Sequence, residues 1–329
     1  MKQMKQMKLL NLLSAMVLGL VGCGQSSSPS VISAQPPASV AVVAAPVKIG
    51  LVMKTLTNPF FVEMEKGARR AEKEFGVSLK VKTAAQEISI EQQIQLVDDL
   101  VADKVDAIVI APGDSQRLVP ALKKAVDAGI KVVNIDNLLD PEAVKLSGLG
   151  TVPFIGVDNE AAAYKAGQFL AQGVTVPTQA AIIEGIRSAD NARQRAHGAA
   201  RGLLLNKFIK VVASETANWK IDEGYSVTKQ MFLQHPNIKL LFAANDIMAI
   251  GALKYLQESG KTTVKVAGFD ALPEAVAEVK AKRLAVTVDQ QAAEQGYQGV
   301  ALAHRLINGG AVPAVTIIDT RLITAASVQ

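Results

Sequence analysis

The chain has 329 residues, 49% of them hydrophobic and 4% aromatic, with 35 basic against 30 acidic side chains. Lys2, Lys5 and Lys8 account for three of the basic residues, so the remainder is close to neutral and holds no basic block of the kind that grips nucleic acid. A single cysteine, Cys23, excludes an intramolecular disulfide framework.

The first elements read as an export signal. The three lysines form a basic n-region, and Leu9 to Val21 forms an apolar h-region too short for a bilayer, which takes about 20 residues. The run closes in Leu20-Val21-Gly22-Cys23, which resembles a bacterial lipoprotein cleavage box. That resemblance implies that residues 1–22 are removed and that Cys23 becomes a lipidated first residue, held to a membrane by several acyl chains. Residues 24–47, rich in Ser, Ala, Val and Pro and uncharged, read as a flexible tether.

The body opens with an apolar run from Lys48, a buried strand by its β-branched content. It breaks at Lys54 and restarts as a helix, with Asn58 as N-cap and Pro59 at the first helical position, where its missing N–H is harmless. Phe61, Met64, Ala68, Ala71 and Phe75 make that helix's apolar stripe, so Phe61 is equally readable as core; Phe60 lies off the stripe. A strand over Leu79–Lys82 follows, then a helix from about Ile90 with Ile94, Val97 and Val101 inward, and a strand over Ala107–Ala111. A helix over Ser115–Ala128, capped by Gly129, leads to a strand over Lys131–Ile135. Residues 138–153 show no period.

From Phe154-Ile-Gly-Val157 the rhythm starts again. Strands are expected over Ala180–Glu184, Ile209–Ala213, Lys239–Ala243, Val264–Gly268 and Ala285–Val288. Helices are expected over 160–172, from about Asn191, and over Asp222–Gln234, Asp246–Glu258, Pro273–Ala281 and Gln291–Asn308. Strand–helix alternation with short connections describes an α/β fold with doubly wound parallel sheets, and the doubled pattern suggests two similar domains.

Open α/β sheets bind ligands beyond the carboxyl ends of their strands. The polar residues there are Asn58, Asp136, Asn245, Asp246, Asp270 and Gln290, with Arg193 and Trp219, the lone tryptophan, in polar segments after strands. Each alone is explicable as a cap or turn former, and Asp246 reads as the cap of its helix. Together they suit a sugar: hydroxyls donate and accept, charged partners hold them by bonds of about 1.5–3 kcal/mol, and aromatic faces cover C–H surfaces.

The segments Lys54-Thr-Leu-Thr-Asn-Pro-Phe-Phe61, Phe242-Ala-Ala-Asn-Asp-Ile-Met-Ala-Ile-Gly-Ala252 and Gly268-Phe-Asp270 resemble the ribose, allose and fructose branch of bacterial periplasmic sugar-binding proteins, over residues 48–329. The resemblance implies a type I fold of two α/β lobes joined by a three-crossing hinge, with crossings near 158, 290 and 320. Residues 48–158 and 291–320 would form one lobe, and 159–290 and 321–329 the other. It implies a monosaccharide ligand in the cleft, ABC permease and ATPase partners, and a monomer. The matching ligand positions are Asn58, Phe60, Phe61, Asp136, Arg193, Trp219, Asn245, Asp270 and Gln290, and Lys54 matches a lysine of allose-type members. After Asp136, ribose-type members have Arg and allose-type members Glu; here Asn137 stands at the ligand, changing which hydroxyl is recognised.

Competing readings are weaker. Gly260-Lys261-Thr262 lacks the earlier glycine of a phosphate loop and precedes a strand, and no GxGxxG opens the first helix. His197, His235 and His304 have no ligand spacing, so no metal is expected, and no catalytic residue or cofactor is assigned. A repressor effector domain would need a DNA-binding module where the leader stands. A sensor docking on a chemoreceptor has the same sequence signature as a transport component.

Overall fold

The computed structural model describes residues 45–328. The expected leader, Cys23 and nearly all of the tether lie outside the described residues.

The strands are β1 Lys48–Met53, β2 Ser78–Thr83, β3 Ala107–Ile110, β4 Lys131–Ile135, β5 Phe154–Gly156, β6 Thr178–Glu184, β7 Ile209–Thr216, β8 Ile238–Ala243, β9 Lys265–Ala267, β10 Val286–Asp289, β11 Val315–Ile317 and β12 Arg321–Thr324. The helices are α1 Pro59–Phe75, α2 Ile90–Ala102, α3 Val119–Asp127, α4 Pro141–Ser147, α5 Asn159–Ala171, α6 Asp190–Leu204, α7 Ile221–Gln234, α8 Asp246–Glu258, α9 Pro273–Lys280 and α10 Ala292–Ile307.

Two six-stranded sheets result, ordered β11-β5-β4-β3-β1-β2 and β12-β10-β9-β8-β6-β7. The pairings are parallel except β10 with β12, which is antiparallel. Central strands such as β3 are buried along their whole length, as expected of parallel strands covered on both faces. The chain passes between the sheets three times: after β5, after β10, and between β11 and β12. After the second passage α10 returns to α1. The backbones touch so closely that a Cβ on Gly67 would lie 1.7 Å from the Ala293 carbonyl oxygen, which only glycine permits.

Four local expectations are corrected. Helix α3 begins at Val119 and not at Ser115, because Asp114 Oδ1 accepts from Gln116 N and Arg117 N (2.8 Å each) and holds a turn before Pro120. On α2 the fully buried residues are Ile90, Gln93, Val97 and Leu100, with Ile94 and Val101 only partly covered; Gln93 is inside because it bonds Ala111 O and Gly113 N. Residues 138–153 contain α4, which buries no side chain and so has no stripe. Its marks are the Asp140 cap on Ala143 N, Pro141, and Gly148 at φ 66°. Asp246 does not cap α8; Asn245 does, its Oδ1 accepting from Met248 N at 2.9 Å. Asp246 sits one residue inside the helix, wholly buried, and bonds Thr287 Oγ1 (2.7 Å) and Leu272 N (2.9 Å).

Candidate functional site

The carboxyl ends of the two sheets face each other. On the first lobe, β1 runs out at Lys54 and β4 at Asp136, which turns sharply at φ 65°, a region Asp tolerates. Lys54 Nζ lies 2.8 Å from Asp136 Oδ2, with both side chains almost fully shielded from water. Asn58 caps α1 by accepting from Phe60 N at 3.0 Å, and its Nδ2 donates to Glu87 Oε1 at 2.9 Å. Phe60 and Phe61 meet edge to face at 5.1 Å, and Lys54 Nζ stands 5.5 Å from the Phe61 ring centre.

On the second lobe everything converges on Arg195, from α6. Its Nε donates to Asn159 Oδ1 (2.8 Å), Nη1 to Ala244 O (3.0 Å) and Nη2 to Gln290 Oε1 (3.1 Å). Nη1 also lies 3.6 Å from Asp270 Oδ1, and the guanidinium stacks 3.9 Å from the Phe269 ring centre. Gln290 Nε2 donates to the same Asp270 oxygen at 2.6 Å. Asp270 adopts φ 125°, a strained value for a residue with a side chain, which aims its carboxyl at this cluster. Burial pushes the Asp270 carboxyl well above the usual carboxylate range, against the pull of Arg195. Burial likewise raises Asp246 to about 6 and Glu87 above its ordinary value, and lowers Arg195.

Between these faces lies a narrow cavity with an almost wholly polar wall. Lys54, Asn58, Phe60, Phe61, Asp136, Trp219, Asn245, Asp270 and Gln290 all line it, as do Glu87, Asn191 and Arg195. Two sequence expectations fail geometrically. Arg193 is on the opposite side of α6, with its side chain 48% exposed, and bonds Arg187 O and Asp190 Oδ1. Two residues make about 200° of helix, so Arg195 points where Arg193 cannot. Asn137 does not line the cavity: it is fully buried, with Nδ2 donating to Pro112 O and Ser115 Oγ and Oδ1 accepting from Asn191 N.

Arg195, Glu87 and Asn191 were missed. For Arg195 a signal existed: it falls in step with Ala192, Ala199 and Gly202 on the buried stripe of α6. Glu87 follows a polar stretch with no period and Asn191 opens a helix, so neither position stands out in the sequence.

The site has two buried polar atoms without a partner, Trp219 Nε1 and Asn191 Oδ1. Unpaired buried groups are costly, and an uncharged polyol would satisfy donors and acceptors together. Among the described residues there is no cluster of His, Cys, Asp and Glu able to hold a metal, and no helix is long and apolar enough to cross a membrane.

Known proteins carry the same organisation. Residues 49–311 match the family described as periplasmic binding protein domain. A D-ribose/D-allose-binding protein of Pseudomonas aeruginosa is 39% identical over 265 residues, covering 80% of this chain and 82% of the relative. The D-allose-binding periplasmic protein of Escherichia coli is 33% identical, covering 85% and 93%. A crystal structure of an ABC transporter solute-binding protein from Actinobacillus succinogenes, with bound D-allose, superposes with a TM-score of 0.81 at 36% identity, covering 86% of this chain and 99% of that one. This two-lobed chain, with its three passages around a polar cleft, belongs to the periplasmic binding protein family, the extracytoplasmic solute-binding proteins of ABC importers.

Proposed function

We propose that the chain captures a single monosaccharide, of the ribose or allose kind, in the cavity between Phe60, Phe61 and Trp219, and presents it to a membrane permease driven by an ATPase. The observation that carries this is the composition of the cavity wall: both lobes contribute charged and amide groups to it, with Trp219 Nε1 and Asn191 Oδ1 free to bond a ligand. Residues of both lobes bond one ring together, so the ligand favours the closed arrangement by its differential affinity. The sugar leaves unchanged, as befits a solute-binding protein of an importer. The protein acts as a monomer, tethered by lipid on Cys23.

Calorimetry of the unlipidated body against ribose, allose and a panel of pentoses and hexoses tests the reading. A dissociation constant in the micromolar range or below, near −8 kcal/mol, is expected for at least one of them, with a matching rise in melting temperature. A flat titration against the whole panel would remove the proposal. The anchor is tested separately: Cys23→Ser should move the protein from the membrane fraction to the soluble one.

A further inference from the structure

Helix α6 begins without a cap of its own. Ala189 stands at its N-cap position and offers no side-chain acceptor. The Asp190 carboxylate is taken up by Arg193 and Gln194. The first four N–H groups of a helix have no partner within it. Here two of them are satisfied from the other lobe: Asp190 N donates to Ser115 Oγ at 3.0 Å, and Asn191 N donates to Asn137 Oδ1 at 3.1 Å. A third bond crosses beside them, Ser115 N to Ser188 O at 3.2 Å.

The two acceptors are held ready. Asn137 Nδ2 donates to Ser115 Oγ (3.2 Å) and to Pro112 O (3.0 Å), which fixes the Asn137 amide so that its oxygen faces α6. The Ser115 carbonyl accepts from Asp140 N at 2.8 Å, pinning the turn. Both side chains are buried. Neither lines the cavity.

We infer that Ser115 and Asn137 form a cap in trans, closing α6 only when the lobes are together, and so set ligand affinity without touching the ligand. Separation of the lobes breaks all three bonds and returns the α6 amides to water. Closure restores them, and Arg195 and Asn191 on the same helix come to the cavity with its N-terminus fixed. The pair are positioning residues. Their contribution enters the closing equilibrium and scales the affinity for every ligand by one factor.

The inference rests on the proposed sugar site, and the test separates the two. Ser115→Ala removes a single oxygen, and Asn137→Ala removes the second acceptor. An ordinary helix cap corresponds to about a fivefold change in an equilibrium constant. Each variant should therefore bind about fivefold more weakly, through faster release with unchanged association in stopped-flow traces. The ratio of affinities between two sugars should stay at the wild-type value, because the residues read no hydroxyl. Affinities equal to wild type, or a loss confined to one sugar, overturn the inference while leaving the sugar site standing. Amide exchange of the sugar-bound protein gives a second reading: peptides covering residues 189–193 should be less protected by sugar in both variants than in wild type, and equal protection rejects the trans cap, while a wild type that binds no sugar removes the inference together with the site on which it rests.

Discussion

In the first lobe, Lys54 meets Asp136 at 2.8 Å and Asn58 meets Glu87 at 2.9 Å, two contacts that share no atom although the Lys54 charge also acts on Glu87. In the second lobe a single guanidinium is shared among Asn159, Ala244 O, Gln290 and Asp270 and is sandwiched against Phe269. Two of those partners sit beside passages between the lobes: Asn159 opens α5 after β5, and Gln290 follows β10. The comparison separates two ways of keeping charge in a closed cleft. Isolated pairs can be altered one at a time. A hub fails as a unit, because every partner depends on one side chain. The second lobe is therefore the prebuilt half, its polar groups fixed by each other, and the first lobe supplies the aromatic wall and two local pairs.

Arg195→Ala is the sharpest way to break the comparison. It takes the cation from the Asp270 carboxylate, which keeps only the Gln290 amide, and removes a donor from Asn159 Oδ1, Ala244 O and Gln290 Oε1, a loss that costs about 3–5 kcal/mol for a broken buried pair. Sugar binding should fall by at least about a hundredfold, two charge-assisted bonds of roughly 1.5 kcal/mol, in calorimetry. Arg193→Ala should bind within about twofold of wild type, in the range of surface substitutions. Equal losses in the two variants would show that α6 is oriented otherwise.

A smaller effect is expected where the second lobe positions its aromatic. A Cβ on Gly185 would stand 2.0 Å from Trp219 Cζ2 and 2.1 Å from Cη2, so Gly185→Ala must push the indole aside. Overpacking of this kind costs about 1–3 kcal/mol, and about tenfold weaker binding should follow. Tryptophan fluorescence checks it directly, since Trp219 is the sole tryptophan. An unshifted emission spectrum with wild-type affinity would mean the ring lies elsewhere.

These two variants also mark what could be read from the sequence. Trp219, Asp270 and Gln290 were legible because each is a polar or aromatic residue just past an apolar strand, and the parallel fold puts such residues on one edge. Strands β1 to β10 were legible, most of them from apolar runs and within one to three residues at their ends; β11 and β12, short and largely unburied, were not. Arg195 was not, because an arginine on a stripe of Ala and Gly contradicts the hydrophobic pattern that defines the stripe, whereas Arg193 beside it fits a solvated face. Asn137 follows a strand like the others, yet its bonds go to Pro112 and Ser115 on the neighbouring turn of its own lobe and to Asn191 across the cleft, whose nearness is set by how the two lobes meet. No local pattern records that. Helix α4 escaped because it buries nothing.

The weakest effect concerns pH. Asp246 lies behind Asp270, and burial raises it to about 6 from an ordinary 3.8, so the folded protein holds a proton that the unfolded chain has released. Below about pH 4 both states are protonated and the group contributes no slope. Between about pH 4 and 6 the unfolded state binds fewer protons, so stability falls as pH rises, and above about 6 the loss is complete. The total is about 2–3 kcal/mol for a shift of this size. Asp246→Asn removes the charge and keeps one oxygen to accept from Leu272 N, its Nδ2 donating instead to Thr287 Oγ1, so urea unfolding of the unliganded variant should show a smaller fall between pH 4 and 7 than wild type. Asp270 is raised in part by the Asp246 charge, and losing that neighbour narrows its own window, which adds to the difference. The burial of Asp270 itself and of Glu87, on the other lobe, is the same in both proteins and gives the residual slope. An identical fall in the two would place the sensitivity in the first lobe's pairs, and the second lobe would lose its standing as the half in which charges act as one.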